Sequence, residues 1–402
     1  MLSYNFLLDL ALILLSTKAL GIITRKFQMP QVVGALLAGL ILGPAMLNIL
    51  SETNFIIQLS ELGVIVLMFS AGLESDLREL KNTGKASLII ALLGVIVPLI
   101  GGFLFAYYFT LPELNQGTNG GITLQNIFIG VILTATSVSI TVETLKEIGK
   151  LNTHTGTAIL SAAIIDDILG IIALTIITSI KDSSVSVWIV LTKILCFFIF
   201  VIIVGFLFYK IFDAWSKHEN RDRRRFIIAA FVFCLLLAYM SEEFFGVSDI
   251  TGAFIAGLVL SNIERKEFIS NRFNIVSYTL LSPVFFASIG LKIVLPNISL
   301  GIVIFSISLT IIAIFTKIIG AGIGAKMCKF SNRESIQIGI GMVSRGEVTL
   351  IVASKGAALG LISTEMLGPI VIVVVVTAII SPILLKIAFR ENKLNNSISK
   401  ES

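Results

Sequence analysis

Histidine occurs twice in the 402 residues, as His154 and His218, and cysteine three times, as Cys196, Cys234 and Cys328. Two separated histidines exclude a His-rich metal centre or an imidazole relay. Three scattered cysteines with no CxxC pair exclude a zinc site or a disulfide framework, and such cysteines serve as small buried hydrophobes. Charge is also scarce: Asp, Glu, Lys and Arg make up 14% of the chain, against roughly 25% in a soluble domain. Apolar residues fill the space, at 56%, and mean hydropathy is +0.98. A soluble enzyme is excluded, and the expected surroundings are a lipid bilayer. The net charge of +5 does not call for nucleic acid, because the cytoplasmic loops of membrane proteins carry an excess of Lys and Arg. Neither a nucleic-acid partner nor a cofactor is expected. The first apolar run lacks a basic leader and is too long for a signal-peptide core, so it reads as a retained helix.

Apolar segments punctuated by charge, Pro, Gly and Asn predict thirteen transmembrane helices, over 4–24, 31–50, 55–74, 86–109, 122–145, 155–180, 185–212, 225–243, 247–263, 274–292, 297–325, 335–359 and 364–388. The fold class is an all-α polytopic membrane protein. Alternate connections test the count, because the cytoplasmic ones should hold the basic residues. Odd-numbered connections and the tail hold 23 Lys and Arg, and even-numbered ones hold three, Lys181, Lys292 and Lys355. That alternation predicts a protein integral to the cell membrane, with its N-terminus outside and its C-terminus in the cytoplasm. No connection has room for a soluble domain, so any regulator is expected to be a separate cytoplasmic chain.

The second span reads VVGALLAGLILG from Val32 and the ninth reads ITGAFIAGLVLS from Ile250, a shared frame at an offset of 218 residues. The same offset carries Ser70, Gly72 and Leu73 onto Ser288, Gly290 and Leu291. Span nine comes seven helices after span two, an odd number of crossings, so two such copies run through the membrane in opposite directions. This predicts two inverted six-helix repeats joined by a linker helix, the architecture of secondary transporters. Such transporters break corresponding helices near the midplane, where unwound backbone lines a cavity. The corresponding pair here is span five, with LTATSVS (Leu133 to Ser139), and span twelve, with MVSRGEVT (Met342 to Thr349).

Ionisable residues deep in a span cost roughly 2.5 to 3.5 kcal/mol each on insertion scales, which makes them functional candidates. Asp9, Lys18 and Lys193 lie near helix ends and can snorkel; Glu61 is undecided. The deep positions are Asp166 and Asp167, Lys317, and the Arg345/Glu347 couple. Adjacent helical residues point about 100° apart, so one aspartate can face an aqueous cavity while the other faces neighbouring helices. Two carboxylates so close in a low dielectric cannot both stay ionised cheaply, so one holds a proton until a cation or a lysine compensates it. Lys317, beside a Gly/Ala face at Gly320, Ala321, Gly322 and Gly324, is the natural counter-charge. A cation that displaces it makes cation binding and proton release competitive. Arg345 and Glu347 can neutralise each other or the helix ends at the span-twelve break, a supporting role.

The TATS-type break in span five, the IDD pair in span six, the span-eleven lysine and the SRGE break in span twelve together resemble the cation:proton antiporter-2 family, its Kef- and NapA-like group, across essentially the whole chain. The resemblance implies a homodimer with elevator-like alternating access, in which a core carrying two crossed discontinuous helices moves against a dimerisation domain. It divides the chain into a dimerisation domain (1–85 and 225–296), a core ion-translocation domain (86–180 and 297–390), a linking helix (185–212) and a cytoplasmic tail (391–402). It makes Asp167 the principal ion-binding and proton-carrying carboxylate, with Asp166 its partner. Thr136 and Ser137 supply oxygen to the transported cation, Lys317 is the competing salt-bridge partner, and Thr134 supports the site. Paired aspartates imply electrogenic exchange. Unlike the Kef potassium-efflux members, the sequence carries no C-terminal nucleotide-binding domain, which puts ligand-gated efflux in doubt. The function implied is antiport of Na⁺ (or Li⁺) for H⁺, with K⁺/H⁺ exchange as the alternative and a gated cation channel less favoured. An intramembrane aspartyl protease would need its carboxylates on separate helices, and no GxGD occurs.

Overall fold

The computed structural model describes residues 4–27, 29–109, 121–181, 186–218, 223–293 and 300–390, and among these there is no β-strand. Sixteen α-helices follow one another: α1 (Asn5–Lys26), α2 (Gln31–Leu42), α3 (Asn54–Glu74), α4 (Leu77–Tyr108), α5 (Ile122–Ile132), α6 (Val138–Glu147), α7 (His154–Lys181), α8 (Val187–His218), α9 (Arg223–Phe245), α10 (Asp249–Leu260), α11 (Lys266–Val276), α12 (Ser282–Leu291), α13 (Leu300–Met327), α14 (Asn332–Gly341), α15 (Glu347–Ala358) and α16 (Leu367–Phe389). Nine helical stretches among the described residues are long and apolar enough to cross a membrane, with α11 and α12 counted as one through the π-helical turn Ser277–Leu281. Three apolar helices, α2, α5 and α10, are shorter. The protein is an all-helical integral membrane protein.

The expected and observed boundaries differ where local chemistry overrides hydropathy. Span two was expected to reach residue 50, but α2 stops at Leu42 because Gly43 and Pro44 do not continue a helix. Conversely, α4 starts at Leu77 rather than 86, with the Asp76 side chain accepting a hydrogen bond from the Arg78 N–H at 2.8 Å. Charge does not end a helix that emerges into water. The same holds for α8, which runs on to His218, and for α11, which begins at Lys266 rather than 274. The domain boundary expected at 85/86 therefore falls inside α4, and the nearest break between helices is Glu74 to Leu77. Pro283 has no N–H to give the Thr279 carbonyl, which accounts for the π-turn ahead of α12. The expected tail, 391–402, lies outside the described residues.

α1 and α8 present large apolar side chains outward, among them Leu15, Ile22, Trp188, Ile202 and Ile211, whereas α3 and α12 are largely buried. The shared sequence frame occupies matching contacts. Gly39 of α2 packs on the backbone of α12 at Ala287, and Gly290 of α12 packs back on Leu36 and Gly39. At the offset of 218 residues the partners exchange roles: Gly257 of α10 packs on Phe69 and Gly72 of α3, and Gly72 packs back on Phe254 and Leu258. A Cβ on Gly39 would run into the Ala287 carbonyl oxygen, while one on Gly84 would meet nothing within 4 Å. Gly39→Ala is expected to lower the thermal midpoint of the detergent-purified protein, at a cost of about 1–3 kcal/mol, with Gly84→Ala as the unaffected control. A wild-type midpoint for Gly39→Ala would mean that the helices part freely at this crossing.

The face anticipated on α13 divides between two neighbours. Gly320 packs on Leu93 and Val97 of α4, and Gly324 on Ile90, whereas Gly322 faces Ser335 of α14. Gly94 of α4 lies over the Lys317–Asp166 pair, its Cβ position 3.9 Å from both Lys317 Nζ and Asp166 Oδ1.

Candidate functional site

Both expected breaks are present. Span five is α5 and α6 with residues 133–137 unwound between them, and span twelve is α14 and α15 with 342–346 unwound. The two unwound segments meet and satisfy each other's backbone. The Ser137 N–H donates to the Ser344 carbonyl at 2.7 Å, and the Ser344 hydroxyl donates to the Ser137 carbonyl at 2.8 Å. The Thr141 hydroxyl donates to the Gly341 carbonyl at 2.8 Å and lies 2.7 Å from the Ser344 hydroxyl. Gly346 allows this approach, since a Cβ there would stand 2.7 Å from Ser137 Oγ. Backbone groups freed inside a membrane must find partners, and hydroxyl side chains provide most of them here.

The open end of α5 is met by two cations. Lys317 Nζ donates to the Thr134 carbonyl at 2.7 Å, and Arg345 Nη2 donates to the Leu133 carbonyl. Arg345 also donates to the Val343 carbonyl at 3.0 Å. Carbonyls at a helix C-terminus carry partial negative charge, so cations belong there. Both side chains are fully buried. Lys317 Nζ lies 2.9 Å from Asp166 Oδ1 as well, an ion pair sealed from solvent on both sides.

That pairing leaves oxygens over. Asp166 Oδ2 and Asp167 Oδ1 are buried without a hydrogen-bond partner, as is Glu347 Oε2. Glu347, the first residue of α15, sits at the positive end of that half-helix and accepts a 3.4 Å contact from the Ser139 hydroxyl. Unpartnered buried carboxylate oxygens are costly, and hard oxygen donors of this kind suit a transported alkali cation.

The structure brings together Asp166, Asp167, Lys317, Thr134, Thr136 and Arg345 around the break of span five, with the Thr136 side chain beside Asp166. It does not join Arg345 to Glu347: Arg345 reaches across to cap α5, and Glu347 stays at its own helix start. Thr136 makes a long 3.4 Å contact with the Met342 carbonyl. Ser137 spends its hydroxyl on Ser139 at 3.1 Å and its backbone on Ser344. None of the described hydrogen bonds of Ser137 reaches an aspartate. Glu61 is exposed on α3. Sequence reasoning missed Thr141 and Ser344 as the pair that locks the two breaks together; their signal was a hydroxyl residue one turn into α6 and another inside the span-twelve break.

Interrupted helices meeting beside a sealed lysine–aspartate pair, in a chain built almost wholly of apolar helices, define a secondary transporter of ions. Comparison with known proteins narrows this. A family model described as sodium/hydrogen exchanger, transmembrane, matches residues 11–391, and the chain belongs to that family. Among curated relatives, the probable Na(+)/H(+) antiporter GerT of Bacillus cereus is 41% identical over 384 residues, covering 95% of this chain and 98% of the relative. The Na(+)/H(+)-K(+) antiporter GerN of Bacillus cereus is 38% identical over 387 residues, covering 96% and 97%. A solved structure of the sodium proton antiporter MjNhaP1 from Methanocaldococcus jannaschii superposes with a TM-score of 0.73 at 19% identity over 96% of each chain, a likeness of fold.

Proposed function

We propose that this chain is an antiporter, not an enzyme, that exchanges Na⁺ (or Li⁺) for H⁺ across the cell membrane. The observation that carries this reading is the buried Lys317–Asp166 pair beside an Asp167 oxygen with no partner. With no cation present, Lys317 answers one carboxylate, and the charge on the other is best met by a proton. An arriving cation takes oxygen from Asp167 and Asp166 and loosens Lys317, and protons leave as it binds. Thr136 lies at the same break and can add oxygen; Ser137 can do so only by giving up its contact with Ser139.

Within the family, the adjacent aspartates and the SRGE break favour the cation:proton antiporter-2 group. Nine continuous helical stretches, two short helices and two interrupted ones give thirteen crossings, with the N-terminus outside and the C-terminus in the cytoplasm. The exchanged glycine contacts of α2 with α12 and of α10 with α3 support inverted repeats. In that arrangement a core containing α4–α7 and α13–α16 moves, elevator-like, against a homodimeric scaffold containing α1–α3 and α9–α12, with α8 as linker. K⁺ exchange is the second reading, favoured by the name of the GerN relative. The experiment is dye-reported proton flux in proteoliposomes under a defined pH gradient, with Na⁺, Li⁺, K⁺ and choline added in turn. Flux answering Na⁺ and Li⁺ but not choline is expected; a K⁺ response supports the second reading. No coupled flux with any ion overturns both.

A further inference from the structure

α6 carries Ser139, Glu143 and Glu147 at intervals of four residues, and residues so spaced share one helix face. The stripe leads outward. Ser139 is fully buried and touches Glu347 and Ser137 at the break, Glu143 is half-buried, and Glu147 is exposed. Beside its outer part lies a cavity of about 530 Å³, with Glu143, Lys146 and Glu147 on one wall and Lys18, Gln31 and Phe286 among the residues opposite.

The other charged groups lining this cavity already have partners. Lys146 lies 3.1 Å from Glu74 of α3 and donates to Asn274 Oδ1 of α11 at 2.6 Å. Both Glu147 carboxylate oxygens accept the Gln31 N–H, at 2.8 and 2.7 Å, and so cap the start of α2. Lys18 donates to the Tyr278 hydroxyl at 2.8 Å. Glu143 alone among them makes no hydrogen bond or ion pair among the described residues; the charges nearest it are Lys146 and Glu147 on the same wall and Glu74 behind Lys146.

We infer that Glu143 is the access carboxylate of the transport path on this face, meeting the cation between bulk solution and the aspartate pair one helix turn and a break further in. This rests on the antiport reading above. One unpaired carboxylate at the mouth of a low-dielectric cleft concentrates cations and speeds their capture, yet it cannot encircle the ion, so the ion moves on. Aspartate keeps the charge and shortens the arm by one methylene, whereas glutamine keeps the shape and removes the charge.

The test uses everted membrane vesicles, whose bath meets the face that the basic loops assign to the cytoplasm, and follows Na⁺-driven proton movement. Glu143→Gln is expected to raise the KM for bath Na⁺ about tenfold, with kcat changing far less, and Glu143→Asp to recover most of the loss. A structural role would instead lower kcat or the yield of folded protein, which size-exclusion chromatography reads. A wild-type KM in Glu143→Gln while wild-type vesicles exchange Na⁺ overturns this inference alone. Wild-type vesicles without Na⁺-driven proton movement overturn it together with the antiport reading. Should Glu143→Gln fail to fold, a KM for Glu143→Asp above that of Glu143→Ala overturns it too.

Discussion

Asp167→Asn is expected to abolish coupled Na⁺/H⁺ exchange, a fall of about 10²-fold or more for loss of a group that carries the proton, while the protein folds normally. Both halves of the expectation come from one atom. Asp167 Oδ1 is buried and makes no hydrogen bond, so this carboxyl costs the native fold free energy, either in desolvating its charge or in holding a proton there. An isosteric amide removes that cost and should leave the thermal midpoint unchanged or higher. It also removes the only means by which this position can alternate between a proton and a cation. Proton flux in proteoliposomes and the unfolding midpoint of the same preparation test the two halves together. Wild-type flux in Asp167→Asn would sink the assignment of this residue, and loss of flux with a collapsed midpoint would recast it as structural.

Lys317→Gln has the second large effect, on stability and on stoichiometry together. Removing the ammonium strands the Asp166 carboxylate and leaves the Thr134 carbonyl at the end of α5 without its donor. Removing one partner from a buried pair costs about 3–5 kcal/mol, and a fully buried aspartate has no water to fall back on. The double variant Asp166→Asn with Lys317→Gln removes both charges and should be less destabilised than Lys317→Gln alone, a coupling that a double-mutant cycle measures. In transport, the reversal potential should shift toward a different number of protons per cation. A wild-type reversal potential and pH profile in Lys317→Gln would reduce the lysine to a packing partner.

Much of this was legible in the sequence because a membrane interior penalises polar groups so heavily that each one left there is informative. The runs LTATSVS and MVSRGEVT interrupt apolar stretches, and both are where helices unwind. Asp166, Asp167, Lys317 and Arg345 stood out for the same reason, and all are buried. Helix ends were less legible. Hydropathy carries span two to Leu50, but two residues, Gly43 and Pro44, end it at Leu42. Hydropathy likewise ends span four near residue 86, whereas backbone hydrogen bonding continues it to Leu77. Partner identity was least legible. Arg345 stands two residues from Glu347, and the local reading pairs them, yet its nearest acceptor belongs to the end of α5, more than two hundred residues away in the chain. Backbone carbonyls have no letter in a sequence, so a side chain that caps one leaves no complementary residue to notice.

The grip of α6 on its neighbours has a consequence for which conformation the carrier rests in. In the last turn of α6, Lys146 and Glu147 hold α2, α3 and α11 through charge-assisted contacts, each worth about 0.5–1 kcal/mol at this degree of exposure. If the broken helices travel while those neighbours stay, every turnover must undo these contacts on one side of the membrane. Together they amount to a bias of up to about 2.8 kcal/mol, which corresponds to a hundredfold preference. The unloaded carrier would then spend nearly all its time waiting in this conformation, and the first event of each cycle would be a release at the periphery rather than any change at the aspartates.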